Sequence, residues 1–391
     1  MPPNDDIAYA MNILKFITLP LGIWPLQKYN TFSLILCILS GSSLAVLMIT
    51  MFLEVNFSND NAYIKLDKLM LTCCATLSVL KIFSFRFYAD KLILNFTSAV
   101  TDYLAIDTEE KRTIMRRHAY MGRIISYGIS ILAYVAATLF TLKPILESNT
   151  QVNVSIKNQL ADLPLPLTWT LGNLGHISTT LYFTLALVQY YLLLLNVNGN
   201  VGNDSLFYAI TLHICGQMEL LKIEFTNYGV KSENLSKELF VLISRHRHLM
   251  EHAELLVDVI SFVLLVQLLF SCIIICFIGL NLIVALKLHD AMMISKCLSV
   301  IITLLLQLFF YSFVGDYLKC QMEDIAYSIY SCNWSSFPLK LMRNVLFVIM
   351  RSQQPVQLLA GRYFVVTIET YMSILKSSLS YLSVLRIMID V

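Results

Sequence analysis

The sequence predicts an all-α membrane protein with seven transmembrane helices, a cytoplasmic N-terminus, an extracellular C-terminus and a cytoplasmic helical anchor region. Composition gives the class: 57% of the 391 residues are hydrophobic and 14% are charged, against about 45–50% and about 25% in soluble domains. Mean hydropathy is +0.68. The spacing of the apolar windows gives the helices, because each is close to the roughly 20 residues that cross a hydrocarbon core of about 30 Å. A formal net charge of +2 provides neither the basic excess of a nucleic-acid binder nor an acidic solvating tail.

Five windows contain no Asp, Glu, Lys or Arg: Phe32 to Leu53, Ile124 to Leu142, Ile177 to Val197, Val259 to Leu286 and Cys297 to Val314. A sixth, Leu69 to Phe87, carries Lys81 and Arg86 near its end, and the seventh runs from Tyr363 to the C-terminus through ETYMSILKSSLSYLSVLRIMIDV. About thirty residues precede the first window, which is too long for a signal core and lacks a small-residue cleavage site after it.

Orientation follows from the basic residues, which short cytoplasmic loops retain. Nineteen fall on one side: Lys15 and Lys28, the cluster from Arg86 to Arg123, the group from Lys222 to Arg247, and Lys319, Lys340, Arg343, Arg351 and Arg362. The opposite loops hold Lys65, Lys68, Lys143, Lys157, Lys287 and Lys296. The N-terminus is therefore expected inside, the C-terminus outside, and sequons Asn56 and Asn153 in outer loops. None of the nine cysteines lies in a predicted outer loop, so no disulfide framework is implied. A G-protein-coupled receptor has the opposite orientation. It would also carry Asp-Arg-Tyr after span three and Asn-Pro-x-x-Tyr in span seven, both absent here.

On the cytoplasmic side, Leu206, Ile210, His213, Ile214 and Gln217, then Leu239, Leu242, Ile243 and His246, recur at helical spacing. Spans four and five are thus expected to continue beyond the bilayer between Asp204 and Asp258. A second amphipathic stretch covers Met322 to Gly361, with Ile325, Ile329, Trp334, Leu339, Leu341, Val345, Phe347 and Val348 apolar, Pro338 opening a helix and Gly361 punctuating its end. Apolar faces there point to packing against one another or against other subunits. His248 and His252 are spaced i, i+4, but HLMEH is not the HExxH of a zinc protease and reads as an amphipathic helix. Phosphate loops, CxxC pairs and nucleophile elbows are absent. No catalytic residue, metal site or cofactor is expected, and nearly uncharged spans disfavour a transporter.

The run IMRSQQPVQLLAGRYFVVTIETYMSILKSSLSYLSVLR, Ile349 to Arg386, resembles the C-terminal signature of the insect odorant receptors. GDYL at Gly315 to Leu318, Ala326 to Trp334, HICGQMELL at His213 to Leu221 and ISRHRHLMEHAELL at Ile243 to Leu256 are similar to that family as well. The related gustatory receptors carry Thr-Tyr-x5-Gln-Phe in the last span; here Thr370 and Tyr371 are followed by MSILKSS. The family's co-receptor has a much longer loop after span four.

The resemblance implies a ligand-gated, nonselective cation channel of the plasma membrane of olfactory sensory neurons, in which this chain forms a heterotetramer with the odorant receptor co-receptor. It divides the chain into a membrane domain, residues 1–318, whose spans one to six bind ligand in their outer halves, a cytoplasmic anchor and assembly region, 319–361, and a pore-lining last helix, 362–391. A gustatory-like homotetramer is the alternative. At helical spacing Ser373, Ser377, Ser380, Val384 and Ile387 share one stripe, flanked by Lys376, Ser383 and Met388. Small residues at such spacing also serve helix packing. The resemblance assigns pore and gate to Ser380, Val384, Ile387 and Met388. It places a small volatile organic ligand among spans two, three, four and six, for which Thr76, Val79, Leu80, Tyr134, Thr138, Tyr182, Phe183, Thr303, Leu306 and Phe310 are candidates; each of them also suits core packing.

Overall fold

The computed structural model describes residues 3–27, 30–58, 62–148, 179–229 and 234–389. The described helices are α1 Pro3–Thr18, α2 Thr31–Phe57, α3 Ala62–Phe87, α4 Ala89–Leu104, α5 Glu109–Ser148, α6 Thr179–Thr226, α7 Leu235–Leu288, α8 Ala291–Tyr330, α9 Leu339–Ser352 and α10 Ile368–Ile389. A two-residue hairpin, β1 Leu359–Ala360 and β2 Phe364–Val365, precedes the last helix. The described residues are thus all-α apart from that hairpin. By length and composition α2, α3, α5, α7 and α8 can each cross a bilayer. The fourth and seventh apolar windows fall on α6 and α10; Ile177 and Asn153 lie outside the described residues.

Local chemistry sets several boundaries. Asn30 caps α2 by accepting the Ser33 N–H, Asn234 caps α7 through Lys237, and Asp290 caps α8 through Met293. Only two residues join α7 to α8, and His289 in the left-handed region turns the chain there. Such side-chain caps satisfy N–H groups that a helix leaves without partners.

α6 runs through the centre of the bundle, packed by α1, α3, α5, α7 and α8. Its lower half is buried on every side, with Phe207, Tyr208, Cys215, Met218 and Phe225 inaccessible. α6 and α7 extend 48 and 54 residues, well past the roughly 20 a bilayer needs, as the periodicity between Asp204 and Asp258 predicts. Within those extensions Leu206, Ile210, His213, Ile214, Gln217, Leu239, Leu242 and His246 all face inward. The N-terminal helix is tied to the base through Asp6, which pairs with Arg112 at 2.9 Å and Arg116 at 2.8 Å. Outward positions of α2 are apolar instead: Phe32, Ile35, Leu39, Val46 and Phe52 are all more than half exposed. Such a continuous apolar exterior is what lipid, not water, stabilises.

The region after α8 departs from the expectation that one helix runs to Gly361. The helix that Pro338 opens stops at Ser352, ahead of Pro355, and Gly361 instead turns the β hairpin. Gly361 and Arg362 both have positive φ, 61° and 65°. The Gly361 N–H donates to the Ser261 carbonyl of α7 at 2.9 Å. A Cβ at Gly361 would lie 2.5 Å from Leu265, so the close approach and the left-handed backbone both require glycine. α9 itself is apolar on two faces. Leu341, Val345 and Val348 are buried, whereas Leu339, Leu346, Phe347 and Met350 are exposed.

Three buried histidines at this end of the bundle are held neutral. Burial, aided by the Arg351 charge, pushes His246 down to about 4. Burial lowers His118 and His252 as well, with the neighbouring His248 contributing at His252. An unfolded chain takes up these protons below about 6.5 while the folded chain does not. The stability that these neutral histidines contribute is therefore full above about pH 6.5 and falls as pH drops toward the lowered value of His246, about 4. Thermal unfolding in nanodiscs should give a lower Tm at pH 5 than at pH 7.5, and His246→Leu should narrow that gap; an unchanged gap contradicts the assignment.

Candidate functional site

Between α3, α5, α6, α7 and α8 lies a cavity of about 130 Å³. Small side chains make room for it: Ala133, Ala136 and Ala137 on α5 retreat from Met70, Cys74 and Leu77 of α3 and Leu193, Val197 and Val201 of α6. Ile274 of α7 and Val300, Thr303 and Leu304 of α8 complete an apolar wall, broken by the amides of Asn196, Asn200, Gln267 and Gln307. Asn200 Nδ2 donates to the Cys74 carbonyl at 3.1 Å and to Asn196 Oδ1 at 3.2 Å, tying α6 to α3. An engineered apolar cavity of about 150 Å³ takes up benzene. The space suits one small, mostly apolar molecule.

Adjoining the cavity is a charged centre. Lys81 of α3 donates to Asp204 Oδ1 of α6 at 2.7 Å, and both side chains are 1% exposed. The Tyr311 hydroxyl donates to the same oxygen, and Gln307 Nε2 donates to Oδ2. Tyr208 donates to the Gln307 carbonyl at 3.2 Å, and Phe207, Tyr208 and Tyr311 pack ring against ring within 5.1–5.7 Å. A buried ion pair persists only where further hydrogen bonds fill the remaining valences. Here Gln307 and Tyr311 do so, and Gln307 also reaches the cavity wall.

Among the ligand-site candidates, Thr303 lines the cavity. Val79 packs between α2, α3 and α6, and Leu80 is half-buried beside it. Thr76 and Thr138 donate back into their own helices, to the carbonyls of Thr72 and Val135. The Tyr134 hydroxyl bonds to Asn198. Leu306 is half-buried, and Phe310 stacks edge-on against Phe309. The side chains of Tyr182 and Phe183 lie outside the described residues. The amides on the cavity wall are not among the sequence candidates, although Gln267 and Gln307 are polar positions inside apolar spans, the signal that marks functional positions in membranes.

The last helix has two unlike faces. Its inner face packs on α7 and α8: Ser378 is buried and bonds to Cys272 at 3.4 Å, a Cβ on Gly279 would stand 2.8 Å from Leu382, and Tyr371 meets Phe309 with ring centroids 5.9 Å apart. Its first turn is anchored by Asp316, which accepts the Ile368 N–H at 2.8 Å. The outer face presents Ser373, Lys376, Ser377, Ser380 and Val384, all exposed. The side chains of Ile387 and Met388 lie outside the described residues. His248 and His252, in contrast, are engaged by α4 through Ser98 at 3.2 Å and Asn95 at 2.7 Å. Among the described residues no group of three metal-ligating side chains assembles.

A family model described as 7tm Odorant receptor matches residues 65–379. The chain belongs to the odorant receptor family. This odorant receptor is 22% identical over 305 residues to Odorant receptor 10 of Aedes albopictus, a match covering 76% of this chain and 77% of that one. It is 25% identical over 223 residues to Odorant receptor 2a of Drosophila melanogaster, covering 53% of this chain and 56%, little over half, of the relative. The fold matches the olfactory receptor OR5 of Machilis hrabei, solved in complex with eugenol, with a TM-score of 0.81, 15% identity, and coverage of 97% and 99% of the two chains.

The charged centre gives this odorant receptor a measurable dependence. Lys81→Met strands a buried carboxylate, and losing one partner of such a pair costs about 3–5 kcal/mol. Folded yield and Tm in nanodiscs should drop sharply for Lys81→Met and recover in large part in Lys81→Met/Asp204→Leu. Equal behaviour of the single and double variants would contradict the pairing.

Proposed function

We propose that this odorant receptor is a subunit of an odorant-gated, nonselective cation channel. It takes a small volatile organic molecule into the cavity between α3, α5, α6, α7 and α8, and lines a central pore with α10. The observation that carries the reading is the division of labour on α10. Ser378 and Leu382 face the subunit's own α7, so the serines at 373, 377 and 380 are not used for packing within the chain. A helix with protein on one side and water on the other tolerates such a polar stripe, which lipid would not. Val384, followed by Ile387 and Met388, continues the stripe as an apolar segment able to close a pore by dewetting.

α8 is the natural link between cavity and pore. Thr303 and Gln307 border the cavity, Phe309 touches Tyr371 of α10, and Asp316 holds the first turn of α10. A ligand that shifts α8 would therefore act on the pore helix by contact, as a two-state element biased by binding. The eugenol complex of the OR5 relative supports a small organic ligand for this chain. The reading further includes seven spans with the N-terminus inside and the C-terminus outside, and the division into 1–318, 319–361 and 362–391. It includes a heterotetramer with the odorant receptor co-receptor in the plasma membrane of olfactory sensory neurons. The exposed Leu346, Phe347 and Met350 of α9 suit the contact between subunits at the cytoplasmic base.

Whole-cell recording in cells expressing the chain with and without the co-receptor, under a panel of volatile compounds, tests this directly. Cation current should appear within milliseconds and only with the partner, and replacing Val384 or Ile387 should change ion permeability. Current without a partner would indicate a self-sufficient homotetramer. A slow response removed by blocking G proteins would overturn the channel.

A further inference from the structure

Gln267 of α7 lines the cavity, is 1% exposed, and its orientation is dictated by its neighbours. The chain of dictation starts at Asp204. Its carboxylate, opposite the Lys81 ammonium, can only accept, so the Gln307 group that touches Asp204 Oδ2 must be its NH2. The carbonyl end of Gln307 is then the acceptor that meets Gln267, and it receives Gln267 Nε2 at 3.3 Å. The same Nε2 donates to the Ser271 hydroxyl at 2.8 Å. Flipping the Gln267 amide would set two carbonyl oxygens against each other. Both Gln267 N–H groups are therefore committed, and its Oε1 is left as a buried acceptor without a protein partner.

Gln267 borders the cavity, so its orphaned acceptor lies next to the space a ligand enters. A buried acceptor without a donor is costly, and structures rarely retain one unless something supplies the donor. We propose that Gln267 Oε1 is the polar recognition point of the cavity and selects small volatile molecules that carry a hydroxyl donor. Ethers and hydrocarbons of the same shape leave Oε1 unpaired and bind more weakly. The inference rests on the cavity being the ligand site, but not on the channel. Asn196 and Asn200, the other amides on the wall, can donate to the oxygen of an alcohol or of its ether alike. Because their own carbonyls can also accept an O–H, it is the Gln267→Met variant that assigns the preference to Gln267.

The test uses the full-length protein in nanodiscs and three small aromatic probes: phenol, toluene of the same size, and anisole, the methyl ether of phenol and one carbon larger. Calorimetric titration should show phenol binding about tenfold more tightly than anisole, the scale of one satisfied against one unsatisfied buried acceptor. Gln267→Met, close in volume, should bring the two to similar affinity by weakening phenol while leaving toluene unchanged. The wild-type comparison needs no variant and stands if Gln267→Met fails to fold. Equal affinity for phenol and anisole in the wild type, a preference that survives Gln267→Met, or binding of none of the three would overturn the proposal. A phenol preference in titration with no current in cells would count against the channel reading and leave this inference intact.

Discussion

One lysine and one aspartate meet in the interior of an otherwise apolar bundle, and the arrangement around them depends on how their charge is satisfied. Lys81 brings α3 to α6, and Asp204 draws Gln307 and Tyr311 of α8 to the same point. Three helices are thereby fixed in register by bonds that have direction, where apolar side chains alone would tolerate sliding. Separating these charges would expose each to a medium that solvates it poorly. The register in turn decides which side chains border the cavity, since Gln307 cannot serve Asp204 and turn away from the wall.

The same helix that completes the charged centre also holds the end of the chain. Gly315 of α8 lies so close to the segment before α10 that a Cβ there would approach the Val366 carbonyl to 2.7 Å. One residue on, Asp316 caps the first turn of α10. The hairpin turn at Gly361 is pinned separately to α7 through Ser261. α10 is therefore hung from α7 and α8 by backbone contacts at its start and by Ser378 and Leu382 along one face. Its opposite face has no partner within the chain among the described residues.

Much of this was legible in the sequence because the membrane restricts the options: a segment that crosses must be helical, long and apolar. The extensions of α6 and α7 past bilayer length could be read from positions such as Leu206, Ile210, Leu239 and Leu242, whose spacing records the buried face. Tertiary contacts could not. Asp204, which the sequence places at the start of a cytoplasmic extension, is buried because Lys81, 123 positions away, supplies its counter-charge. Gly361 resembles a helix terminator, yet it is required by the approach of α7. The cavity is formed by absent volume at Ala133, Ala136 and Ala137, and residue type along the sequence does not reveal where facing helices leave volume empty. The serine stripe was readable as a stripe; which face of α10 its own bundle covers was not.

The central claim is that the uncovered face of α10 meets water in the conducting path. Single cysteines placed at Ser377, Ser380 and Val384, and for comparison at Ser378 and Leu382, in the chain expressed with the co-receptor test it by treatment with a charged thiol reagent during odorant application. The account predicts that current is blocked for the first three, faster with odorant present than without, and is unaffected for the other two beyond the parent chain. Block confined to Ser378 and Leu382, or no block at any of the five, would place the pore elsewhere and contradict it.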